Sequence, residues 1–82
     1  MQLTNRAQKD LARLDEQSQV RVRAALRKLA DTGEGDVVKL TDVDPREWRL
    51  RVGDWRVRFA NLTPDQAILI LRVLPRGKAH DR

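Results

Sequence analysis

Apolar and basic side chains alternate along Trp48-Arg49-Leu50-Arg51-Val52-Gly53-Asp54-Trp55-Arg56-Val57-Arg58-Phe59, with a break only at Gly53-Asp54. Alternation with a period of two residues is typical of a β-strand that has one buried face and one face in water. A two-residue connection with glycine first favours a type II′ hairpin turn. The stretch therefore predicts antiparallel strands at Trp48 to Val52 and Trp55 to Phe59, in a register that the turn fixes.

This register sorts the hairpin side chains onto two faces. The apolar face, which must cover the core, consists of Trp48, Leu50, Val52, Trp55, Val57 and Phe59. The opposite face, the arginine face, has Arg51 facing Arg56 and Arg49 facing Arg58. Directly opposed like charges destabilise a sheet by roughly 0.2–1 kcal/mol per pair, and a surface that needed only solubility would avoid them. We therefore expect a polyanion, most simply a phosphate backbone, to bind the arginine face.

The alternative is that carboxylates of the same chain, such as Glu47 or Asp65, neutralise these arginines. The chain has 17 basic and 12 acidic side chains, a net charge of +5. Nine of the basic and four of the acidic side chains lie from Arg46 onward, so this segment carries the whole excess. The small number of acids favours an external partner. All three aromatic side chains fall on the apolar face, which argues against a surface that stacks bases on exposed rings.

Helical patterns precede the hairpin. The first helix has Asn5 as its expected N-cap, and its apolar face consists of Ala7, Leu11 and Leu14. A second helix is expected to begin after an Asp15 N-cap, to run to about Thr32 and to stop at Gly33. The buried stripe of the second helix is expected to consist of Val22, Ala25, Leu26, Leu29 and Ala30. The short polar turn between the helices predicts an antiparallel pair.

Extended patterns surround the hairpin in the sequence. Val37 to Leu40 predicts a strand, Thr41 to Glu47 a loop and Asn61 to Asp65 a turn, and Ala67 to Leu74 predicts a continuous apolar strand in the centre of the sheet. The fold class is α+β: two N-terminal antiparallel helices packed on a four-stranded antiparallel sheet, with a short basic C-terminal tail. A chain of 82 residues forms one domain, residues 1–82. Met1 to Thr4 has room for a stub of a further strand.

The last strand leaves one question open. Arg72 and Arg76 have the same parity, so a regular strand puts both on one side. They join the arginine face only if the core-facing set is Leu69, Leu71 and Val73. In that arrangement three apolar side chains of the strand lie on the arginine face: Ile68, Ile70 and Leu74. The sequence does not decide whether the strand is arranged in this way.

The composition excludes several kinds of site. The chain has no cysteine and one histidine, which rules out disulfides, thiolate metal sites and histidine-rich metal sites within one molecule. We therefore expect no cofactor and no metal. The first residues lack the apolar stretch of a secretory signal, and the longest apolar run, Ala67 to Leu71, is too short to span a membrane. These features predict a cytoplasmic protein without membrane contact.

Four segments of the chain together carry a likeness to a known family. They are Ala7-Gln8-Lys9-Asp10-Leu11, Lys39-Leu40, the hairpin from Trp48 to Phe59, and Arg72-Val73-Leu74-Pro75-Arg76-Gly77-Lys78-Ala79-His80. In this order they resemble the RelE/ParE toxin superfamily of type II toxin–antitoxin systems, and its RelE-like branch in particular. The likeness spans nearly the whole chain. Its most specific part is the alternating basic hairpin with Arg56, followed after the last strand by Arg76.

The resemblance implies a function. RelE-like members cut messenger RNA in the ribosomal decoding site, where a 2′-hydroxyl attacks the adjacent phosphate to give a 2′,3′-cyclic phosphate, and so inhibit translation. Matched by position, the implied catalytic residues are Arg49, Arg51, Arg56, Arg76 and His80. Arginine stays protonated, so Arg56 and Arg76 suit charge stabilisation, whereas His80 suits proton transfer near neutral pH. The further side chains expected to bind RNA are Lys39, Arg58, Arg72, Lys78 and Arg82.

The resemblance also implies a protein partner. A cognate antitoxin is expected to be acidic where it covers the arginine face and to form a hetero-oligomer with the toxin. ParE-like members share the fold but inhibit DNA gyrase and lack the nuclease residues. A gyrase inhibitor, a non-catalytic nucleic-acid-binding toxin and an inactive relative are therefore alternatives to a ribosome-dependent endoribonuclease. An unstructured tail would favour these alternatives, because His80 lies close to the last residue.

Overall fold

The described residues, 1–39, 47–61 and 68–77 of the computed structural model, form two helices and five strands. In chain order these are β1 (Gln2–Leu3), α1 (Asn5–Ala12), α2 (Glu16–Thr32), β2 (Asp36–Lys39), β3 (Glu47–Val52), β4 (Trp55–Asn61) and β5 (Ile68–Pro75). The strands form one sheet in the order β1-β5-β4-β3-β2. The fold is α+β as predicted, with the helices packed on the sheet.

The hairpin has the predicted register. The cross-strand pairs of β3 and β4 include Trp48 with Phe59, Arg49 with Arg58, Leu50 with Val57, Arg51 with Arg56 and Val52 with Trp55. Gly53 has a φ of +58°, and a positive φ at the first turn position is required by both types of two-residue hairpin turn, I′ and II′. Leu50, Val57 and Phe59 are buried, and the rings of Trp48 and Trp55 pack partly buried against the same core. The apolar face is therefore confirmed.

The first helix begins one residue earlier than expected. Thr4, rather than Asn5, is the N-cap: its backbone is extended and its Oγ1 accepts a hydrogen bond from the Ala7 backbone N–H at 3.0 Å. The Thr4 hydroxyl also donates to the Leu71 carbonyl at 2.9 Å, and the Thr4 backbone N–H donates to the Ile70 carbonyl at 3.0 Å. Asn5 was the wrong choice because Thr4 is held in place by β5 as well as by the helix.

The second helix follows its sequence signals. Asp15 is the N-cap, and its carboxylate accepts a hydrogen bond from the Ser18 backbone N–H at 3.2 Å. The Ser18 side chain, and after it this backbone hydrogen bond, lowers the pKa of Asp15. Gly33 ends the helix with a φ of +74°. The buried side chains of α2 are Val22, Leu26 and Leu29, with Ala25 packed at the margin. Ala30 is exposed, contrary to expectation, because the stripe that contacts the sheet is narrower than predicted.

The sheet has one strand more than predicted. Gln2 and Leu3 pair with Leu69 and Ile70 of β5, and this pairing is parallel. The four predicted antiparallel strands are present as β2 to β5, and β1 adds a fifth, parallel strand that the predicted strand count did not include. Two residues are too few to show a period, so the sequence identified only a possible stub. The pairing puts β5 inside the sheet, as expected, between β1 and β4.

A bulge in β5 answers the question that its sequence left open. Arg72 lies opposite Arg58 while Ile70 lies opposite Phe59, so Leu71 is an extra residue and the strand changes parity there. The buried side chains of β5 are Ile68, Ile70 and Val73. The strand is therefore not regular, and Leu69 and Leu71 do not belong to the core-facing set. The bulge lets Arg72 lie level with the arginines while the isoleucines still reach the core.

The core lies between the helices and the apolar face of the sheet. Its buried apolar side chains are Ala7, Leu11, Leu14, Val22, Leu26, Leu29, Leu50, Val57, Phe59, Ile68, Ile70 and Val73. Neither helix in the described segments combines the length and hydrophobicity needed to cross a bilayer. Several predicted features lie outside the described residues. They are Leu40, most of the loop Thr41 to Glu47, the turn after Asn61 with Asp65, the start of the last strand at Ala67, and the basic tail with Lys78, His80 and Arg82.

Candidate nucleic-acid interface

Four guanidinium groups converge at the end of the sheet next to the hairpin turn. This arginine cluster consists of Arg49, Arg51, Arg56 and Arg76. Arg51 lies directly opposite Arg56 across the hairpin, and Arg49 lies two residues before Arg51 on the same face. The backbone N–H of Arg76 donates to the Asp54 carbonyl at 2.7 Å, which holds the end of β5 beside the turn.

Arg56 is the centre of the cluster. Its residue exposure is 8%, and its Nη1 donates to the carbonyl of Gly53 at 2.8 Å and to that of Trp55 at 2.9 Å. Burial lowers the pKa of Arg56, and the positive charges of the other three cluster arginines lower it further, while Asp54 acts in the opposite direction. Arginine nevertheless stays charged in proteins. The turn therefore fixes a partly desolvated cation among like charges.

Arg56 has no ion pair with any carboxylate in residues 1–39, 47–61 and 68–77. Its hydrogen-bond partners are main-chain carbonyls, which orient the guanidinium without cancelling its charge. An anion that reaches this position gains the attraction of Arg56, which is held in place beforehand, and of the other arginines of the cluster. This geometry supports a phosphate-binding role.

Arg58 has different surroundings from Arg56. Its Nη2 donates to the Glu47 carboxylate at 2.6 Å, and the two side chains are only 17% and 12% exposed. Its Nε is buried and has no hydrogen-bond acceptor among the described residues. Glu47 thus neutralises this arginine, as the alternative derived from the sequence proposed. The predicted RNA-binding role of Arg58 remains a prediction.

Arg51 forms a much looser contact. Its Nε lies 3.8 Å from the Asp36 carboxylate, and both side chains are more than 60% exposed. Exposed ion pairs of this kind contribute little, since water screens the charges and two side chains must be ordered. Asp36 can therefore give way to a stronger anion without disturbing the sheet.

Arg72 is engaged by α1. Its Nε and Nη2 donate to the two carboxylate oxygens of Asp10 at 2.7 and 3.1 Å, and the Val73 backbone N–H donates to Asp10 at 3.0 Å. Burial acts to raise the pKa of Asp10, but these hydrogen bonds and the charges of Arg72 and Arg13 outweigh it and lower the pKa. The hydrogen bond to Asp10 raises the pKa of Arg72. The pair joins the first helix to the part of β5 that follows the residues paired with β1.

Lys39 lies away from the cluster. It pairs with Trp48 across β2 and β3, which puts it on the helix side of the sheet, and its Nζ is 5.7 Å from the centre of the Trp48 ring. Lys78, His80 and Arg82 lie outside the described residues, so their predicted roles remain predictions. Within the described part of the chain, no three histidine, aspartate or glutamate side chains converge as metal ligands.

Sequence reasoning did not find the role of Asp10. A signal was present, because Asp10 lies between Ala7 and Leu11 on the apolar stripe of α1. A lone carboxylate on a core-facing stripe needs a buried partner. The distant Arg72 supplies it.

The family model for the ParE toxin of the type II toxin–antitoxin system parDE matches residues 1–80. The chain belongs to this toxin family. No curated protein sequence matches this ParE-family toxin significantly.

The toxin is also similar to solved structures that contain RelE. A chain of the RelB–RelE antitoxin–toxin complex from Methanococcus jannaschii has a TM-score of 0.79 and 19% identity, covering 99% of this chain and 96% of that chain. A chain of the archaeal RelE–RelB complex from Pyrococcus horikoshii OT3 has a TM-score of 0.73 and 26% identity, and the match covers 94% of this chain and 93% of that chain. The isolated E. coli RelE toxin has a TM-score of 0.76 and 12% identity, with 96% and 85% covered. Together with the family model over residues 1–80, these matches put the toxin in the RelE/ParE superfamily, as its sequence motifs suggested.

Proposed function

We propose that this toxin is a ribosome-dependent endoribonuclease that cuts messenger RNA and thereby stops translation. One observation carries the proposal: Arg56 is buried next to three other arginines and is held by main-chain carbonyls instead of a carboxylate. A phosphate group, or the more highly charged phosphorane formed during its cleavage, supplies the negative charge that this position lacks. The resemblance to RelE-like toxins, which act on messenger RNA, supports the same reading.

The proposed reaction uses the RNA as its own nucleophile. The 2′-oxygen forms a bond to the adjacent phosphorus while the bond from phosphorus to the 5′-oxygen of the next nucleotide breaks. The 2′-hydroxyl proton goes to a base, and the leaving 5′-oxygen receives a proton, which gives a 2′,3′-cyclic phosphate and a 5′-hydroxyl. This route needs no metal-bound water, because the nucleophile is part of the substrate.

The arginines and the histidine have separate roles in this scheme. Arg56 and Arg76 clamp the reacting phosphate and stabilise its extra negative charge, and Arg49 and Arg51 hold the neighbouring phosphates. No arginine acts as the base, since its pKa is too high. His80 transfers the proton.

Primer extension on translated messages tests this function. Pulse expression of the wild-type toxin is expected to create new 5′ ends within coding regions, and Arg56→Ala and His80→Ala are expected to lose them. Arg27→Ala, which removes an exposed arginine of α2 outside the arginine cluster, is the matched control and should cut normally. Intact messages in cells whose growth the wild type has stopped would overturn the nuclease proposal.

A gyrase inhibitor is the second candidate function. The observation that favours it is the family model itself, which describes a ParE toxin of a parDE system. ParE-like toxins, which the chain also resembles, inhibit DNA gyrase. Loss of negative supercoiling in a reporter plasmid, with messages left intact, would support this candidate over the first. The arginine cluster would then contact gyrase or its DNA.

We further propose an acidic antitoxin as the physiological partner, in a cytoplasmic hetero-oligomer. The M. jannaschii and P. horikoshii neighbours are complexes of RelE with RelB. An antitoxin that covers the cluster must bring carboxylates to Arg51 and Arg56, and so competes with RNA for the same groups. Coexpression of the cognate antitoxin is expected to restore growth. If the toxin expressed alone does not slow growth, the chain is an inactive relative.

A further inference from the structure

An arginine of α2 lies against the hairpin turn from the helix side. A Cβ built on Gly53 would lie 3.1 Å from Nη2, 3.6 Å from Cζ and 3.8 Å from Nη1 of Arg21. All three atoms belong to the guanidinium, so this group rests on the turn where the missing glycine side chain leaves space. Arg21 is exposed and makes no hydrogen bond or ion pair within the described residues.

The turn therefore has guanidinium groups on both of its sides. Arg56 donates to the Gly53 carbonyl from the arginine face, and Arg21 approaches the same residue from α2, which packs on the apolar face.

Arg21 adds a fifth positive charge at the end of the molecule that already holds the arginine cluster. Asp36 lies 3.8 Å from Arg51, Asp54 acts on the charge of Arg56, and both acids remain exposed. Arg21 has no carboxylate within ion-pair distance among the described residues, so a phosphate that reaches it meets a cation whose charge no neighbouring acid cancels.

We propose that Arg21 is a further phosphate contact for single-stranded RNA. The inference rests on the proposed function: a strand whose reacting phosphate lies on the cluster continues over the Gly53–Asp54 turn and puts a later phosphate on Arg21. A nucleic acid suits this path because it carries one negative charge per nucleotide along its whole length. An arginine fork binds a phosphate through two parallel hydrogen bonds. Arg21 thus helps to position the strand and takes no part in the chemical step.

Binding to uncleavable RNA tests the proposal. The probe is a 2′-O-methyl RNA strand of about ten nucleotides, long enough to pass from the cluster over the turn, and affinity is measured against salt concentration. Arg21→Gln is expected to weaken binding about tenfold and to reduce the slope of log K against log salt by about 0.7, the value for one phosphate contact on a single strand. A methylated dinucleotide, which reaches only the cluster, should bind wild type and variant equally.

Two further variants keep the test decisive. Arg27→Gln removes an equally exposed arginine of α2, about 9 Å further along the helix axis, and should change affinity less than twofold. Arg21→Lys keeps the charge and should restore most of the lost salt dependence. If Arg21→Gln and Arg27→Gln behave alike, the proposal is wrong, and cleavage of messages by the wild type would still support the proposed function.

Other outcomes overturn the inference in different ways. If Arg21→Gln lowers the melting temperature and weakens binding of the dinucleotide as much as binding of the longer strand, Arg21 only supports the turn. If it weakens the antitoxin complex and leaves RNA binding unchanged, the partner of Arg21 is a protein. If the wild type neither binds the strand nor cuts messages, the proposed function itself has failed.

Discussion

Arg72 and Arg56 lie on neighbouring strands of one sheet and have opposite surroundings. Arg72 binds both oxygens of a nearly buried aspartate, and this contact raises the pKa of Arg72. Arg56 donates hydrogen bonds to two main-chain carbonyls and lies near three other arginines. Burial, and after it the charges of these arginines, lowers the pKa of Arg56. The chain supplies a carboxylate where an arginine joins two elements. Next to the turn it supplies none to Arg56 within the described segments.

The difference separates stability from binding. Breaking a paired, largely buried ion leaves its partner charge in a poor environment, so the pair is needed for folding. A cluster of like charges repels itself in the free protein, and an anionic ligand relieves this repulsion. We therefore expect mutations of the Asp10–Arg72 pair to affect unfolding, and mutations of the arginine cluster to affect activity.

Arg56→Ala should have the largest effect. It removes the central donor of the phosphate clamp, and loss of one preorganised donor to a developing negative charge typically lowers the rate by about 100- to 1000-fold. The variant should stay folded, because the substitution also removes repulsion from Arg51 and Arg49. Cleavage of a message on programmed ribosomes measures the rate, and thermal melting followed by circular dichroism measures the stability of the variant.

Arg72→Ala is the matched control for this comparison. It should lower the melting temperature more than Arg56→Ala does, while any folded fraction keeps its cleavage rate. Equal losses of rate in the two variants, at temperatures where both are folded, would mean that Arg72 also contacts the RNA.

Asp10→Ala should have the next largest effect, a loss of stability. It removes three hydrogen bonds, two from Arg72 and one from the Val73 N–H, and leaves a partly buried guanidinium without a partner. Loss of one partner from such a pair costs about 3 kcal/mol of the free energy of unfolding. Urea unfolding measures the change, and an effect below about 1 kcal/mol, the size of an ordinary surface pair, would contradict it.

The sequence predicts local features of this fold well. The register of β3 and β4 follows from a two-residue turn and strict alternation, both contained in Trp48 to Phe59. Asp15 and Gly33 bound α2 by chemistry that acts within one helical turn. The features missed depend on distant partners. Thr4 caps α1 because β5 holds its hydroxyl, and the bulge at Leu71 appears only when β5 is aligned with β4.

The candidate site also has features that follow from the local sequence and features that depend on distant contacts. Arg49, Arg51 and Arg56 share a face because alternation and the turn require it. The neutralisation of Arg58 by Glu47 was only one of two readings, since the sequence does not say which acids reach which arginines. The position of Arg21 against Gly53 was not predicted, because it depends on how α2 crosses the hairpin.

The Asp10–Arg72 pair should also make stability depend on pH. The pKa of Asp10 is lowered in the folded protein, so its contribution is complete above the unfolded pKa of about 3.9 and is lost as the pH falls through the folded pKa. The difference in unfolding free energy between wild type and Asp10→Asn should therefore be constant near neutral pH and shrink below about pH 4. A difference that stays the same down to pH 2 would mean that the charge of Asp10 contributes nothing.

Asp36→Asn should have the smallest effect. It tests whether the acid next to Arg51 in the arginine cluster competes with RNA. The Asp36 carboxylate lies 3.8 Å from Arg51, and both side chains are exposed, so the unfolding free energy should change by less than about 0.5 kcal/mol. Because the substitution removes the one acid that pairs with Arg51 in the described structure, RNA should bind slightly more tightly, about twofold at low salt, with the gain screened at high salt. Weaker binding would mean that Asp36 orients Arg51 for the phosphate instead of competing with it. The cluster would then be preorganised by its own acid, as Arg72 is by Asp10, and the distinction between the two regions would not hold at Arg51.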